Sequence, residues 1–153
     1  MLGLKKLYLI PFTPVLKELL TKCEHRDYFI LSKIVMFKAA EIIARKEGAH
    51  FLITGENLAQ VSSQTLSNMT SITKNLFLEV LRPLLTFDKQ ETIEIAKQIG
   101  TYDISKGPEI CCLLGPKHPA TKSDPEVIRK ELERLALDKL MEECLEKAEV
   151  FEV

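Results

Sequence analysis

The stretch that decides the fold is His50–Thr65, which reads HFLITGENLAQVSSQT. His50–Thr54 is a short apolar run between Gly48 and Gly55, and it has the length and the flanks of a buried β-strand. The residues that follow carry hydroxyl, amide and carboxylate side chains. In open α/β sheets, ligands bind beyond the carboxyl ends of the strands. The stretch therefore predicts a strand whose carboxyl end presents polar groups to a ligand, with Gly55 giving close access to the backbone.

Regular elements are predicted on both sides of this stretch. Leu4–Ile10 combines β-forming residues with two lysines and predicts an earlier strand. Apolar residues at helical spacing predict a helix over Asp27–Lys46, with Gly48 as its stop. Strand, helix and strand in this order indicate a parallel crossover unit. A third strand is predicted over Phe77–Leu81.

The second half of the chain continues this alternation. Asp88 and Glu91 form a capping-box pattern that begins a helix, and Gly100 ends it. Tyr102–Lys122 contains several glycines and prolines and predicts a loop, or a short strand and turn. Residues 123–153 open with an acidic N-cap and a proline, and apolar residues then recur at helical spacing. A long amphipathic helix is predicted to close the chain.

Alternating strands and helices predict an α/β fold, a three-layer arrangement with a mostly parallel sheet flanked by helices. With 153 residues, 46% of them hydrophobic and 28% charged, the chain has the makeup of one globular domain. We expect residues 1–122 to form the α/β body. Residues 123–153 are expected to pack on it as the C-terminal helix.

Composition excludes several classes of protein. No apolar run reaches the ~18 residues that a membrane-spanning helix needs, and the N-terminus lacks a signal peptide, so we expect a cytoplasmic protein without a membrane partner. The 21 basic and 22 acidic residues give a net charge of −1, so any nucleic-acid contact is expected to be local or shared with a partner. The four cysteines show no metal-ligand spacing, and reduced thiols without a metal site are predicted.

The segment Thr54–Thr65 resembles TGExxGQVSSQT, the signature of the tRNA 4-thiouridine synthetase family (thiamine biosynthesis and tRNA sulfurtransferase proteins). The likeness covers roughly residues 5–122 and includes Leu81–Leu84, Asp88–Lys89, Ile99–Tyr102 and Pro108–Cys111. The resemblance implies the C-terminal part of a PP-loop ATP-pyrophosphatase domain, a partial adenine-nucleotide alpha hydrolase-like fold. On the residues alone, a Ser/Thr-rich helix N-cap with solvated side chains also explains the segment.

The resemblance also implies the site residues. Lys33, Gly55 and Gln64 are expected to contact ATP, with or without Mg²⁺. Lys89 is expected to stabilise charge on a transferring phosphoryl group, although a solvated lysine in the first turn of a helix is the alternative. Cys111 matches the cysteine that works with a persulfide donor in sulfur transfer, which requires an accessible thiolate.

Three departures from the family pattern stand out. The SGGxDS loop, whose backbone amides cradle pyrophosphate, is not among these residues, so we expect that a partner chain supplies it or that it was lost from a split gene. Ala59 stands where the signature has glycine, and Ile34 replaces a basic residue next to Lys33. The second change removes a positive charge from the expected nucleotide site.

The function implied is participation in tRNA uridine thiolation, by adenylation of the uridine followed by transfer of persulfide sulfur. The expected partners are tRNA, a cysteine desulfurase as persulfide donor, and either a second copy of the chain or a protein that carries the SGGxDS loop. Two alternatives remain open. One is a non-catalytic binding or assembly paralogue, and the other is a sulfur carrier that uses Cys111 without ATP.

Overall fold

The computed structural model describes residues 3–107 and 114–153. In chain order its elements are β1 Lys6–Leu9, α1 Thr13–Lys22, α2 Tyr28–Lys46, β2 Phe51–Ile53, α3 Leu66–Thr73, β3 Glu79–Leu81, α4 Lys89–Gln98, α5 Tyr102–Ser105, α6 Pro125–Glu133, α7 Leu137–Glu146 and β4 Glu149–Glu152. Short 3₁₀ turns precede α2 and α3, at His25–Asp27 and Ser62–Gln64. The fold is α/β, as predicted.

The strands form two small sheets within the described residues. β2 and β3 are parallel, with Ile53 opposite Leu81 at their carboxyl ends. β1 pairs antiparallel with β4, which begins opposite Leu9 at Glu149. β1 and β2, which were predicted to form a parallel crossover unit, therefore do not pair with each other. The parallel pair is β2 and β3, and these two strands are joined through α3. The final strand β4 was not predicted at all.

Helix α2 lies at the centre of the hydrophobic core. It buries apolar residues on several faces, among them Leu31 and Val35, and its partners α1 and α7 contribute Val15, Leu19 and Met141. A helix that is apolar over most of its circumference is stable only when other elements surround it. The strands are therefore peripheral to a core built mainly by helices.

Helix α1 was not predicted from the sequence, in which Pro11 and Pro14 restrict the backbone just after the first predicted strand. In the structure Pro14 lies in the first turn of α1, where a missing N–H costs nothing. Val15 and Leu19 are four residues apart and both are buried, so they form the core-facing stripe. The four-residue spacing of Val15 and Leu19 was the sequence signal that could have predicted this helix.

The single C-terminal helix predicted for residues 123–153 is wrong, because the structure has α6, α7 and β4 there. Its beginning is as expected, since the Asp124 side chain accepts a hydrogen bond of 2.8 Å from the Glu126 N–H. Leu135 and Leu137 are both buried. Two residues apart on one helix, they would point roughly 200° apart. The break between the helices lets both side chains reach the core.

The predicted helix boundaries in the middle of the chain are confirmed. Asp88 and Glu91 form a capping box, with hydrogen bonds of 2.7 and 2.8 Å. Gly48 and Gly100 follow α2 and α4 with φ of 72° and 75°, the left-handed conformation of a helix stop. The short helix α5 replaces part of the loop predicted from Tyr102 onward.

One edge of β2 has no neighbouring strand in the described part of the chain. The expectation that this strand is buried is correspondingly wrong, since Ile53 is 66% exposed. An apolar groove of about 480 Å³ lies beside this edge, between β1, α2 and β2. Across residues 3–107 and 114–153, none of the helices has the length and apolarity needed to cross a membrane.

Candidate functional site

The loops that follow β2 and β3 are joined by backbone hydrogen bonds. The Thr54 N–H donates to the Leu81 carbonyl at 3.0 Å, and the Leu58 N–H donates to the Leu85 carbonyl at 2.9 Å. The two parallel strands end level with each other, so both loops emerge at the same edge of the sheet. We call this region, residues 54–65 and 82–89, the carboxyl edge.

Asn57 fixes the position of Lys89 at the carboxyl edge. Its Nδ2 donates to the carbonyls of Leu84, at 3.0 Å, and of Phe87. Phe87 directly precedes the N-cap of α4, and Lys89 is the first residue of that helix. Lys89 is exposed and has no ion pair or hydrogen bond from its side chain within the described ranges. A cation at a helix N-terminus is electrostatically unfavourable, so packing and helix stability do not account for this lysine.

Glu56 is a buried carboxylate that joins three elements. Its side chain is 4% exposed; Oε1 accepts from Lys33 Nζ at 2.7 Å, and Oε2 accepts from Arg82 Nε at 2.9 Å. Lys33 comes from α2 and keeps 25% exposure, whereas Arg82 follows β3 and is 16% exposed. We call these three residues the charge triad. With two cations and one anion, it carries a net charge of +1.

The resemblance predicted Lys33 at the nucleotide site but not its partners. Glu56 belongs to the signature segment and Arg82 to the similar segment Leu81–Leu84, and neither was expected to pair with Lys33. Each is the charged residue that follows a predicted strand at its carboxyl end. Because parallel strands end at the same edge, that shared position was a signal that could have paired them.

Within the described residues, neither the backbone conformation nor a close neighbouring atom requires a glycine at position 55. Its φ lies outside the left-handed region, and a Cβ added there would meet no atom within 4 Å. The missing side chain therefore leaves open space over the carboxyl edge. This geometry suits the predicted close approach of a ligand to the backbone.

The turn Ser62–Gln64 leads into α3 and holds the predicted residue Gln64. The Gln64 Oε1 atom is buried and accepts no hydrogen bond from residues 3–107 or 114–153. Thr65 is the N-cap of α3, and its Oγ1 accepts from the Asn68 N–H at 3.2 Å. The helix N-cap alternative is thus correct for Thr65. It does not account for the Gln64 oxygen.

Residues 120–123 run along α3 and are held by its polar side chains. Asn68 is fully buried, and its Nδ2 donates to the carbonyls of Ser62, at 2.6 Å, and Ala120, at 2.8 Å. Thr65 Oγ1 donates to the Thr121 carbonyl at 2.8 Å. The chain just beyond the cysteine pair therefore packs beside the signature segment. Cys111 and Cys112 lie outside the described residues, and the role of Cys111 stays a prediction.

The two cysteines that the structure describes are not activated thiols. Burial, with a smaller contribution from the negative charge of Glu131, raises the pKa of Cys23 to about 11. Burial also raises the pKa of Cys144, which lies in the core on the buried stripe of α7. A reactive thiolate requires a lowered pKa, so neither residue suits sulfur transfer.

The carboxyl edge gathers polar and charged groups at the ends of two parallel strands. It combines a cationic triad, an exposed lysine, an open glycine and an amide oxygen that has no partner within residues 3–107 and 114–153. The fold is that of an α/β domain, and these groups lie where open α/β sheets bind their ligands. The sequence model of the family described as thiamine biosynthesis protein (ThiI) matches residues 3–137. The chain belongs to this family.

Relatives and a solved structure agree with this assignment. A probable tRNA sulfurtransferase from Moorella thermoacetica is 44% identical over 153 residues, which cover 99% of this chain and 39% of that protein. One from Coxiella burnetii is 42% identical over 147 residues, 94% of this chain and 37% of that protein. The crystal structure of a 4-thiouridine synthetase in complex with RNA and bound ATP has a TM-score of 0.90 and 37% identity, covering 97% of this chain and 39% of that one. The chain thus spans less than half the length of these relatives.

Proposed function

We propose that this chain takes part in tRNA uridine thiolation and forms one wall of the ATP site. The observation that carries the proposal is the carboxyl edge, where backbone and side-chain hydrogen bonds join the loops that hold Gly55, Gln64 and Lys89, and where Glu56 pairs with Lys33. The relatives named as tRNA sulfurtransferases, and the 4-thiouridine synthetase solved with RNA and ATP, support the same assignment.

In this proposal Lys33, Gly55 and Gln64 contact the nucleotide. ATP, when bound, supplies the adenylyl group that turns the uridine carbonyl oxygen into a leaving group. Lys89 presents a compact ammonium from the start of α4 and stabilises negative charge on the transferring phosphoryl group. The outer sulfur of a persulfide, delivered by a cysteine desulfurase and handled by Cys111, then bonds to the activated uridine carbon as AMP leaves. A second thiol cleaves the remaining S–S bond, forming a disulfide and freeing the thiouridine. A contribution of Mg²⁺ and a cytoplasmic location stay predictions.

The phosphate-binding loop of the site comes from outside these 153 residues. The edge of β2 that has no strand beside it in the described residues, and the apolar groove next to it, support this part of the proposal. A strand added parallel to β2 at this edge would end beside Gly55. A glycine-rich loop at its end would then point backbone N–H groups at the phosphates.

Calorimetric titration of ATP and AMP tests the proposal, first with this chain alone and then with a polypeptide that carries SGGxDS. We expect binding in the second setting and loss of that binding in Gly55→Leu, whose side chain fills the approach to the carboxyl edge. Gly107→Leu is the matched control, because a Cβ at Gly107 likewise meets nothing within 4 Å. Both variants should melt at the wild-type temperature.

The alternatives predict different results. No nucleotide binding in either setting would contradict the proposal and favour a binding or assembly paralogue. Persulfide formation on Cys111 without ATP, together with absent nucleotide binding, would favour the sulfur carrier. Equal binding by wild type and Gly55→Leu would show that the nucleotide lies elsewhere.

A further inference from the structure

We propose that Arg82 is a further ligand-contacting residue of this site, donating from Nη2 to a phosphate oxygen of the nucleotide, and that Glu56 positions it. The inference rests on the proposed function, because it assumes that the nucleotide lies at the carboxyl edge. It adds a residue that the signature segment does not contain.

The hydrogen bonds of Arg82 leave one side of its guanidinium unused. Nε donates to Glu56 Oε2 at 2.9 Å, and Nη1 donates to the Val80 carbonyl at 3.4 Å. Nη2 is buried and has no acceptor anywhere in residues 3–107 and 114–153. A buried charged donor without an acceptor is costly, and the planar guanidinium fixes the direction of the remaining N–H groups once Nε is held. The geometry points to an acceptor on a bound molecule.

The net positive charge of the charge triad indicates that the molecule bound by Arg82 is an anion. Glu56 neutralises only one of the two cations, and all three side chains are largely removed from solvent. A net positive charge in such a low-dielectric setting attracts an anionic group strongly. Phosphate matches a guanidinium in both charge and geometry. Arg82 thereby supplies, from the β3 side, the second positive charge that Ile34 does not provide.

The unpaired Gln64 oxygen is consistent with the same ligand. Gln64 Oε1 is a buried acceptor and Arg82 Nη2 a buried donor, yet neither is satisfied by the other or by any other described residue. A nucleotide offers both missing partners, since it has phosphate oxygens that accept and an exocyclic amino group that donates. A nucleotide that contacts both atoms would supply both missing partners.

The test compares Arg82→Lys with Arg134→Lys by titration with AMP and with adenosine. It uses the condition in which the wild-type chain binds nucleotide, either alone or together with the polypeptide that carries SGGxDS. Lysine at position 82 keeps the charge and can still pair with Glu56, but it has no second nitrogen to donate from. We expect AMP affinity to fall about tenfold or more, the loss of one charged hydrogen bond, with adenosine affinity unchanged. Arg134 also pairs with a buried carboxylate, that of Glu131, at 2.9 Å, and its variant should bind both ligands as the wild type does.

The positioning role of Glu56 has its own test. Glu56→Asp keeps the negative charge but shortens the side chain, so it should displace Arg82 and lower the ratio of AMP to adenosine affinity. Glu41→Asp is the control, because Glu41 is also buried but binds the N–H groups of Phe77 and Leu78 at the opposite end of β3. This affinity ratio reports on folded molecules only and is insensitive to a partial loss of stability.

The outcomes separate this inference from the function on which it rests. If the wild type binds AMP and Arg82→Lys binds it equally well, or if adenosine affinity falls in parallel, the Arg82 contact is refuted while the proposed function stands. An unchanged ratio in Glu56→Asp refutes the positioning role. A wild type that binds no nucleotide in either setting overturns both proposals.

Discussion

Replacing Glu56 by glutamine should destabilise the protein strongly. Glutamine has nearly the same volume, but it removes the negative charge and turns an amide NH₂ toward one of the two cations. Lys33 and Arg82 are then left as like charges in a largely buried place. Removing one partner of a buried ion pair costs about 3–5 kcal/mol. Because both cations keep some solvent access, we expect a value near the lower end, about 3 kcal/mol.

Equilibrium unfolding in urea measures this loss. With a slope of about 2 kcal/mol/M, the midpoint should fall by on the order of 1.5 M, with the slope itself unchanged. Glu126→Gln is the matched control, since Glu126 also pairs with two cations, Arg129 at 3.1 Å and Lys74 at 3.5 Å, but is 60% exposed. Solvent screening makes such surface pairs weak, so the control should move the midpoint only slightly.

The comparison of the two variants can refute the reasoning. A similar midpoint shift in Glu56→Gln and Glu126→Gln would mean that burial of the triad does not control its energy. A stable Glu56→Gln protein would mean that water or a counter-ion compensates the two cations. In either case the charge triad could not be treated as a desolvated cluster.

Three further substitutions or titrations test other features. Ala59 has φ of 61°, so Ala59→Gly should relieve strain and raise the melting temperature by a few degrees, a gain of up to about 1 kcal/mol. Ala39→Gly, inside α2, is the control and should lower the melting temperature. A fall in both variants would contradict backbone strain at position 59. Asn68→Asp replaces a fully buried donor by a carboxylate and should cost at least about 3 kcal/mol in urea unfolding, while the exposed Asn75→Asp should be nearly neutral. Because the pKa of Cys23 is raised to about 11, its contribution to stability is complete below the unfolded-state value near 9.0 and is lost as pH rises toward 11. Iodoacetamide labelling followed by mass spectrometry should show half-maximal reactivity of Cys23 near pH 11 in the folded protein, and a midpoint near 9 would refute this.

Local sequence signals predicted the parts of the fold that local physics controls. The capping box at Asp88, the stops at Gly48 and Gly100, and the extent of α2 all follow from interactions within a few residues of one another. The fold class followed from the alternation of strands and helices. The capping of α3 by Thr65 was also among the stated alternatives.

The missed features depend on contacts between distant segments. The strand β4 is charged and exposed, and only its pairing with β1 makes it a strand. The break between α6 and α7 exists because Leu135 and Leu137 both face the core, which a helical pattern alone does not show. At the candidate site, the pairing of Glu56 with Arg82 joins two segments 26 residues apart in sequence. The signal for this pairing is not a local pattern but the shared position of the two residues at the carboxyl ends of parallel strands.

The antiparallel pair of β1 and β4 has a consequence for the order in which the protein folds during synthesis. Lys6 lies opposite Glu152, so nearly the whole chain separates the two strands. The α1 and α2 helices and the parallel pair can form as soon as their own residues have been translated, since their contacts are more local. β1, in contrast, cannot pair with its partner strand until Glu149–Glu152 have left the ribosome. Ribosome-bound chains that stop before Glu149 should therefore leave β1 open to proteases and chaperones while the helical core is already protected.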